Sequence, residues 1–285
     1  MFGISSAAIG MLSIVGMIIS NDAYGPIVDN ARGLAEMAEL GDEVLDITDK
    51  LDAAGNTAKA ITKGFAIGAA GLTVIALLGA FQEIVQSATG QIITFNLMDP
   101  LVFFGTLIGS AIPAVFSAML MLGVNRNSQV MVEEIHRQFD TIEGLKEGKP
   151  GVAPEYDKCI DIATIGAIKE LIPAGLTAII VTLVVGFVGG VNAMGGFLAG
   201  NIVTGLFLAL LMSNAGGLWD NAKKYIESGN CGGKGSDAHK AAVIGDTVGD
   251  PFKDTAGPSI NTQITVVSLV ASITAVLFAT FSLFG

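Results

Sequence analysis

Charge is scarce in this sequence. Asp, Glu, Lys and Arg make up 14% of its 285 residues, where a soluble domain of this size carries nearer a quarter. Bases are the rarer sign, 15 against 26 acids, for a net charge of −11. A chain so negative is repelled by phosphate backbones, which excludes nucleic acid as a partner. Cysteine is limited to Cys159 and Cys231, with no CxxC or Cys/His spacing, so neither a disulfide nor a zinc site is expected. The two histidines, His136 and His239, stand singly in polar segments and read as surface residues. No positively charged segment precedes the apolar run from Phe2, so the N-terminus does not read as a secretory signal.

Apolar residues are abundant instead, at 51% with 37 glycines and a mean hydropathy of +0.64. They gather into six runs, near 2–20, 64–82, 101–124, 171–190, 191–213 and 258–284. Each is about 20 residues, which at a rise of ~1.5 Å per residue crosses ~30 Å of hydrocarbon. The expectation is an all-α polytopic membrane protein of about six transmembrane helices, with residues 1–285 forming one transmembrane domain. Long polar segments lie at 21–63, 125–170 and 214–257, and they hold all 15 basic residues. With six spans these segments share one side, and the positive-inside rule makes it the cytoplasm of a multi-pass cell-membrane protein. Glycines recur at helical spacing, at Gly64, Gly68 and Gly71 and again at Gly195, Gly196 and Gly200. Small residues so spaced let helices approach closely in lipid.

The polar segments carry the chemistry. Asp246, Asp250, Lys253 and Asp254 fall at offsets 0, 4, 7 and 8, one face of a helix. Pro251 lies inside that stretch and must start or bend the helix. Converging carboxylates repel each other unless a cation joins them, and hard oxygen ligands suit Mg²⁺ or Ca²⁺. Asp220, Lys223 and Lys224 form an i, i+3, i+4 set just past the fifth run, next to Trp219, which reads as a headgroup anchor. Asp22 and Asp29 are seven apart, as are Asn56 and Lys63, with Lys59 one turn before Lys63. Glu36, Glu39, Asp42, Glu43, Asp46, Asp49 and Asp52 read as a solvated helical face. The glycine-rich loop Gly232–Lys240 lacks the GxxxxGK[ST] form, so it is not a Walker A loop. Were the first, second, fifth and sixth spans neighbours, their polar ends would enclose carboxylates and lysines suited to a polyphosphate bound with Mg²⁺.

DAYGPIVDNARGLAEM, GNTAKAITKGFAIG, GGLWDNAKKYIE and GKGSDAHKAAVIGDTVGDPFKDTAGPS resemble the membrane-bound, ion-translocating inorganic pyrophosphatases, in the same order along the whole chain. The resemblance is to the last six of the family's roughly sixteen helices. It implies Mg²⁺-dependent hydrolysis of inorganic pyrophosphate coupled to proton translocation, in a homodimer, with an N-terminal portion supplied in cis or in trans. By that resemblance Asp29, Asp220, Asp246 and Asp250 are Mg²⁺ ligands. Lys223, Lys253 and Asn56 bind pyrophosphate, joined by Lys63, and Asp254 deprotonates the attacking water. Lys59 and Thr62 match the pair of potassium-independent, proton-pumping members, where the lysine ammonium stands for K⁺. One position departs from the family: Thr265 replaces a lysine of the ion gate. The alternatives left open are a catalytically incomplete remnant or subunit, a sodium-pumping member, and an unrelated divalent-cation transporter.

Overall fold

The computed structural model describes residues 1–38 and 40–284; Glu39, grouped above with the acidic helical face, lies outside them. The described residues form helices and no strand. In chain order these are α1 (Phe2–Leu12), α2 (Val15–Met37), α3 (Asp42–Thr89), α4 (Pro100–Thr141), α5 (Tyr156–Glu227), α6 (Asp237–Pro251), a π-helical turn (Phe252–Ala256) and α7 (Gly257–Phe281). The start of α4 shows why a helix begins where it does. Asp99 accepts from the Leu101 N–H at 2.8 Å, and Pro100 takes the first helical position, where no N–H is needed.

Six spans cross the apolar layer, though fewer helices are continuous. α3, α4, α5 and the α6–α7 run are each long and apolar enough to cross a membrane, and α1 with α2 makes one span bent by 49°. The 72-residue α5 contains two. Its first arm, 156–189, runs against α4: Arg126 meets Glu170 and Gln138 meets Glu155. Its second arm, from 191, runs with α4: Gly105 packs on Ala193 and Gly109 on Phe197. The chain therefore reverses at Gly190, whose φ of 65° and ψ of −159° only glycine adopts without strain. That places the division between the fourth and fifth runs at the turn, as the sequence divides them.

The polar segments are not loops but continuations of the spans. α3 holds 48 residues, about 72 Å of helix, more than twice a bilayer core. Helix ends thus stand clear of the apolar layer on one side, and the α4–α5 ends are pinned there by Arg137, which donates to Glu134 at 2.7 Å and Glu155 at 2.6 Å. α3 packs antiparallel to the second arm of α5, with Gly71 on Leu206 and Gly217 near Ala60. α7 packs antiparallel to the same arm, with Gly205 on Ile264. Between α4 and α5 the contact is glycine on backbone: Gly196 lies on the Val102 carbonyl and Gly200 on that of Thr106. Gly64, by contrast, faces open space, so its helical spacing with Gly68 does not mark a contact within this chain. Phe81, Phe197 and Phe278 are fully buried where α3, α5 and α7 meet.

Candidate functional site

The site forms where the polar ends of α2, α3, α5 and α6 meet. Glycine makes the meeting possible. A Cβ on Gly216 of α5 would overlap the Gly249 carbonyl of α6 and stand 2.8 Å from the Lys253 Cβ. Trp219 packs at 5.9 Å on Phe252 and against Gly249, so it braces this junction.

Prolines then shape the turn. Pro251 has no N–H for the helix ladder, and the chain widens into the π-helical turn, where the Gly257 N–H reaches back to the Phe252 carbonyl. In that register the Lys253 carbonyl would need the N–H of residue 258, which is a proline. Lys63 supplies the donor instead: its Nζ lies 2.6 Å from the Lys253 carbonyl and 2.8 Å from Asp254 Oδ1.

Asp220, Asp246 and Asp250 each present a carboxylate oxygen, all within 4.8 Å of one another. Asp220 and Asp246 are buried and Asp250 is exposed. Lysines stand among them. Lys223 donates to Asp246. Lys253, buried, donates to Asp220 and lies 2.8 Å from Asp250. Asn56 donates to Asp220 Oδ2 at 2.7 Å. Burial pushes the Asp220 carboxyl up, but the Lys253 hydrogen bond and the Lys224 charge outweigh it and hold the group below its usual range. Burial likewise opposes the charge of Lys253, and the two aspartates overcome it, raising its pKa. Asp246 Oδ1 is buried with no hydrogen-bond partner among the described residues. A buried, unfilled carboxylate oxygen beside two more acids suits a hard divalent cation.

The residues singled out by sequence fall in four places. Asp220, Asp246, Asp250, Lys223, Lys253 and Asn56 share one cluster, with Asp254 and Lys63 beside it across the π turn. Asp29 is exposed and outside the trio; its charge is felt at Asp52. Lys59 lies under the α2–α3 contact, 3% exposed and packed on Gly25. Its Nζ meets no hydrogen-bond partner among the described residues. Thr62 donates to Asp22 at 3.1 Å. Thr265 bonds back to the Asn261 carbonyl at 3.1 Å, and among the described residues α7 carries no charge.

Two expectations need correction. Asp52 is not part of a solvated face: it is 1% exposed, 2.6 Å from Lys224 Nζ. The signal was present, since Asp52, Asn56, Lys59 and Lys63 share one face of α3, and all four are buried. His239 is not a free surface residue either. It is half-buried, accepts from the Gly235 N–H at 3.1 Å and lies 3.1 Å from Glu227.

Known proteins resemble this chain along nearly its whole length. The family model described as inorganic H⁺ pyrophosphatase matches residues 1–274. A putative K⁺-stimulated pyrophosphate-energized sodium pump of Clostridium tetani is 52% identical over 95% of this chain and 40% of its own length. K⁺-insensitive pyrophosphate-energized proton pumps of Chloroflexus aurantiacus and Methanosarcina mazei are 50% and 49% identical, over 98% and 95% of this chain and 37% and 40% of their own. The chain thus spans about two fifths of the length of these curated relatives. With the family match running through every element that builds the site, the chain belongs to the membrane-bound inorganic H⁺ pyrophosphatase family.

Proposed function

We propose that this chain supplies part of a cytoplasmic site that hydrolyses inorganic pyrophosphate with Mg²⁺ and couples the reaction to cation transport. The observation that carries the reading is the carboxylate trio Asp220, Asp246 and Asp250 with Lys223 and Lys253 among them. Those three aspartates would hold Mg²⁺, with Asp29 as a further acid at the rim. Bound there, Mg²⁺ supplies charge neutralisation and polarisation of the phosphoryl oxygens. Lys223 and Lys253 stay on their aspartates and turn their remaining N–H donors to the phosphate charge. Lys63 fixes Asp254 by Oδ1, leaving Oδ2 to take the proton from a water. That water's oxygen bonds to one phosphorus, the bridging P–O bond breaks, and two phosphates leave.

The transported ion is a proton in this reading. Overall identity does not separate the proton pumps from the sodium pump, since both stand near 50%. Lys59 favours the proton pumps: its fixed, buried ammonium would stand where a mobile K⁺ is otherwise needed, and the relatives named K⁺-insensitive are the proton pumps. Thr265 favours a second reading for transport alone, in which the ion path through α7 runs without a charged side chain.

The test is phosphate release from pyrophosphate by membranes holding this chain, with and without the N-terminal portion of a relative. Release that needs Mg²⁺, needs the added portion and disappears in Asp254→Asn is the expected result. Release indifferent to Mg²⁺ and to Asp254 would reject the reading.

A further inference from the structure

Asp220 is crowded with donors. Its Oδ2 accepts from Asn56 at 2.7 Å and from Lys253. A carboxylate oxygen has two lone pairs, so Oδ2 is full. A metal must therefore use Oδ1, and Oδ1 faces Lys224 Nζ at 3.2 Å. That same ammonium lies 2.6 Å from Asp52 Oδ2 on α3, so it is shared and leans towards Asp52. Both contacts are ion pairs off hydrogen-bond angle. Among the described residues Lys224 is the one cation within ion-pair reach of Asp52, whose side chain is 1% exposed. A buried carboxylate with one cation holds it strongly, because neither charge can recover its hydration without the other moving.

We propose that Asp52 is a positioning residue that draws the Lys224 ammonium off Asp220 and so keeps Oδ1 of Asp220 open to a divalent cation. The proposal rests on the reading of Asp220 as a metal ligand. Without the charge at 52, Lys224 has one carboxylate left within reach, and it closes on the oxygen the metal requires. Asp52 touches neither metal nor substrate in this arrangement; it acts through Lys224. Its place on α3, four residues before Asn56, lets one helix face set both oxygens of Asp220: Asn56 fills Oδ2 directly and Asp52 clears Oδ1.

The test is Mn²⁺ binding to the purified full chain, read by electron paramagnetic resonance with no turnover needed. Wild type is expected to bind Mn²⁺, and D52N to bind it about tenfold more weakly or worse, as outer-shell losses do. K224M is expected to bind at least as tightly as wild type, and D52N/K224M to match K224M, because Asp52 has no task once the ammonium is gone. Where D52N alone does not fold, the last comparison decides. Unchanged binding in D52N, or a double variant about tenfold weaker than K224M, would overturn the proposal while leaving the metal site standing. A wild-type chain that binds no Mn²⁺ would overturn the metal reading itself, and the proposal with it.

Discussion

Lys59 carries an ammonium into a place where 3% of its surface meets solvent and no described residue accepts a hydrogen bond from it. Such burial costs several kcal/mol unless the charge is used. The proposed use is that of a built-in monovalent cation. In the assembled enzyme Lys59→Ala should therefore cut hydrolysis in K⁺-free buffer by about a hundredfold, the scale of one lost electrostatic stabiliser, and added K⁺ should restore it. A rate unmoved by the substitution and by K⁺ would remove Lys59 from that role. Asp254 belongs to the same scale. Asp254→Asn should lower the hydrolytic rate by about 10²- to 10⁴-fold, the usual contribution of a general base, while pyrophosphate retention on a filter assay stays near wild type. Sequence showed both residues because each sits in a motif. It did not show Asp52, because an acid in a run of acids at helical spacing looks solvated. Only the arrival of the α5 end that carries Asp220, 164 residues beyond Asn56 in sequence, turns that face inward.

Between residues and the whole chain stand the helix ends. Pro251 and Pro258 bracket the π turn, and together they leave the Lys253 carbonyl to Lys63. The bend at Pro251 was legible; the π register was not, since it depends on which carbonyls the two prolines orphan. Glycine sets how near the helices come. Gly216→Ala should push α6 off α5 because its Cβ would meet the Gly249 carbonyl. An overpacking cost of about 1–3 kcal/mol is expected, read as a lower unfolding midpoint in detergent, with Mn²⁺ affinity falling alongside. An unchanged midpoint and affinity would mean that the junction is looser than its geometry indicates. The reversal at Gly190 is of the same kind. Two apolar runs meet there without a polar residue between them, and the left-handed glycine makes the turn possible.

For the molecule as a whole, six spans and an all-α architecture follow directly from run length and hydropathy. The sharing of one side by every basic residue also follows from the sequence, because the spans alternate. What sequence left open was where the helical stretches of the polar segments belong. Most of their residues extend the membrane helices outward. That extension brings Asp220, Asp246 and Asp250 together from α5 and α6, with Asn56 reaching in from α3. This chain covers about two fifths of its relatives' length, so its share of the site is expected to bind rather than to turn over. The most direct measurement is a calorimetric titration of the purified chain with imidodiphosphate, a non-hydrolysable diphosphate, in Mg²⁺ and in EDTA. Heat of binding that requires Mg²⁺ and vanishes in D246N/D250N is the predicted result. Binding that is absent, or that persists undiminished in EDTA and in the substituted chain, would contradict the account.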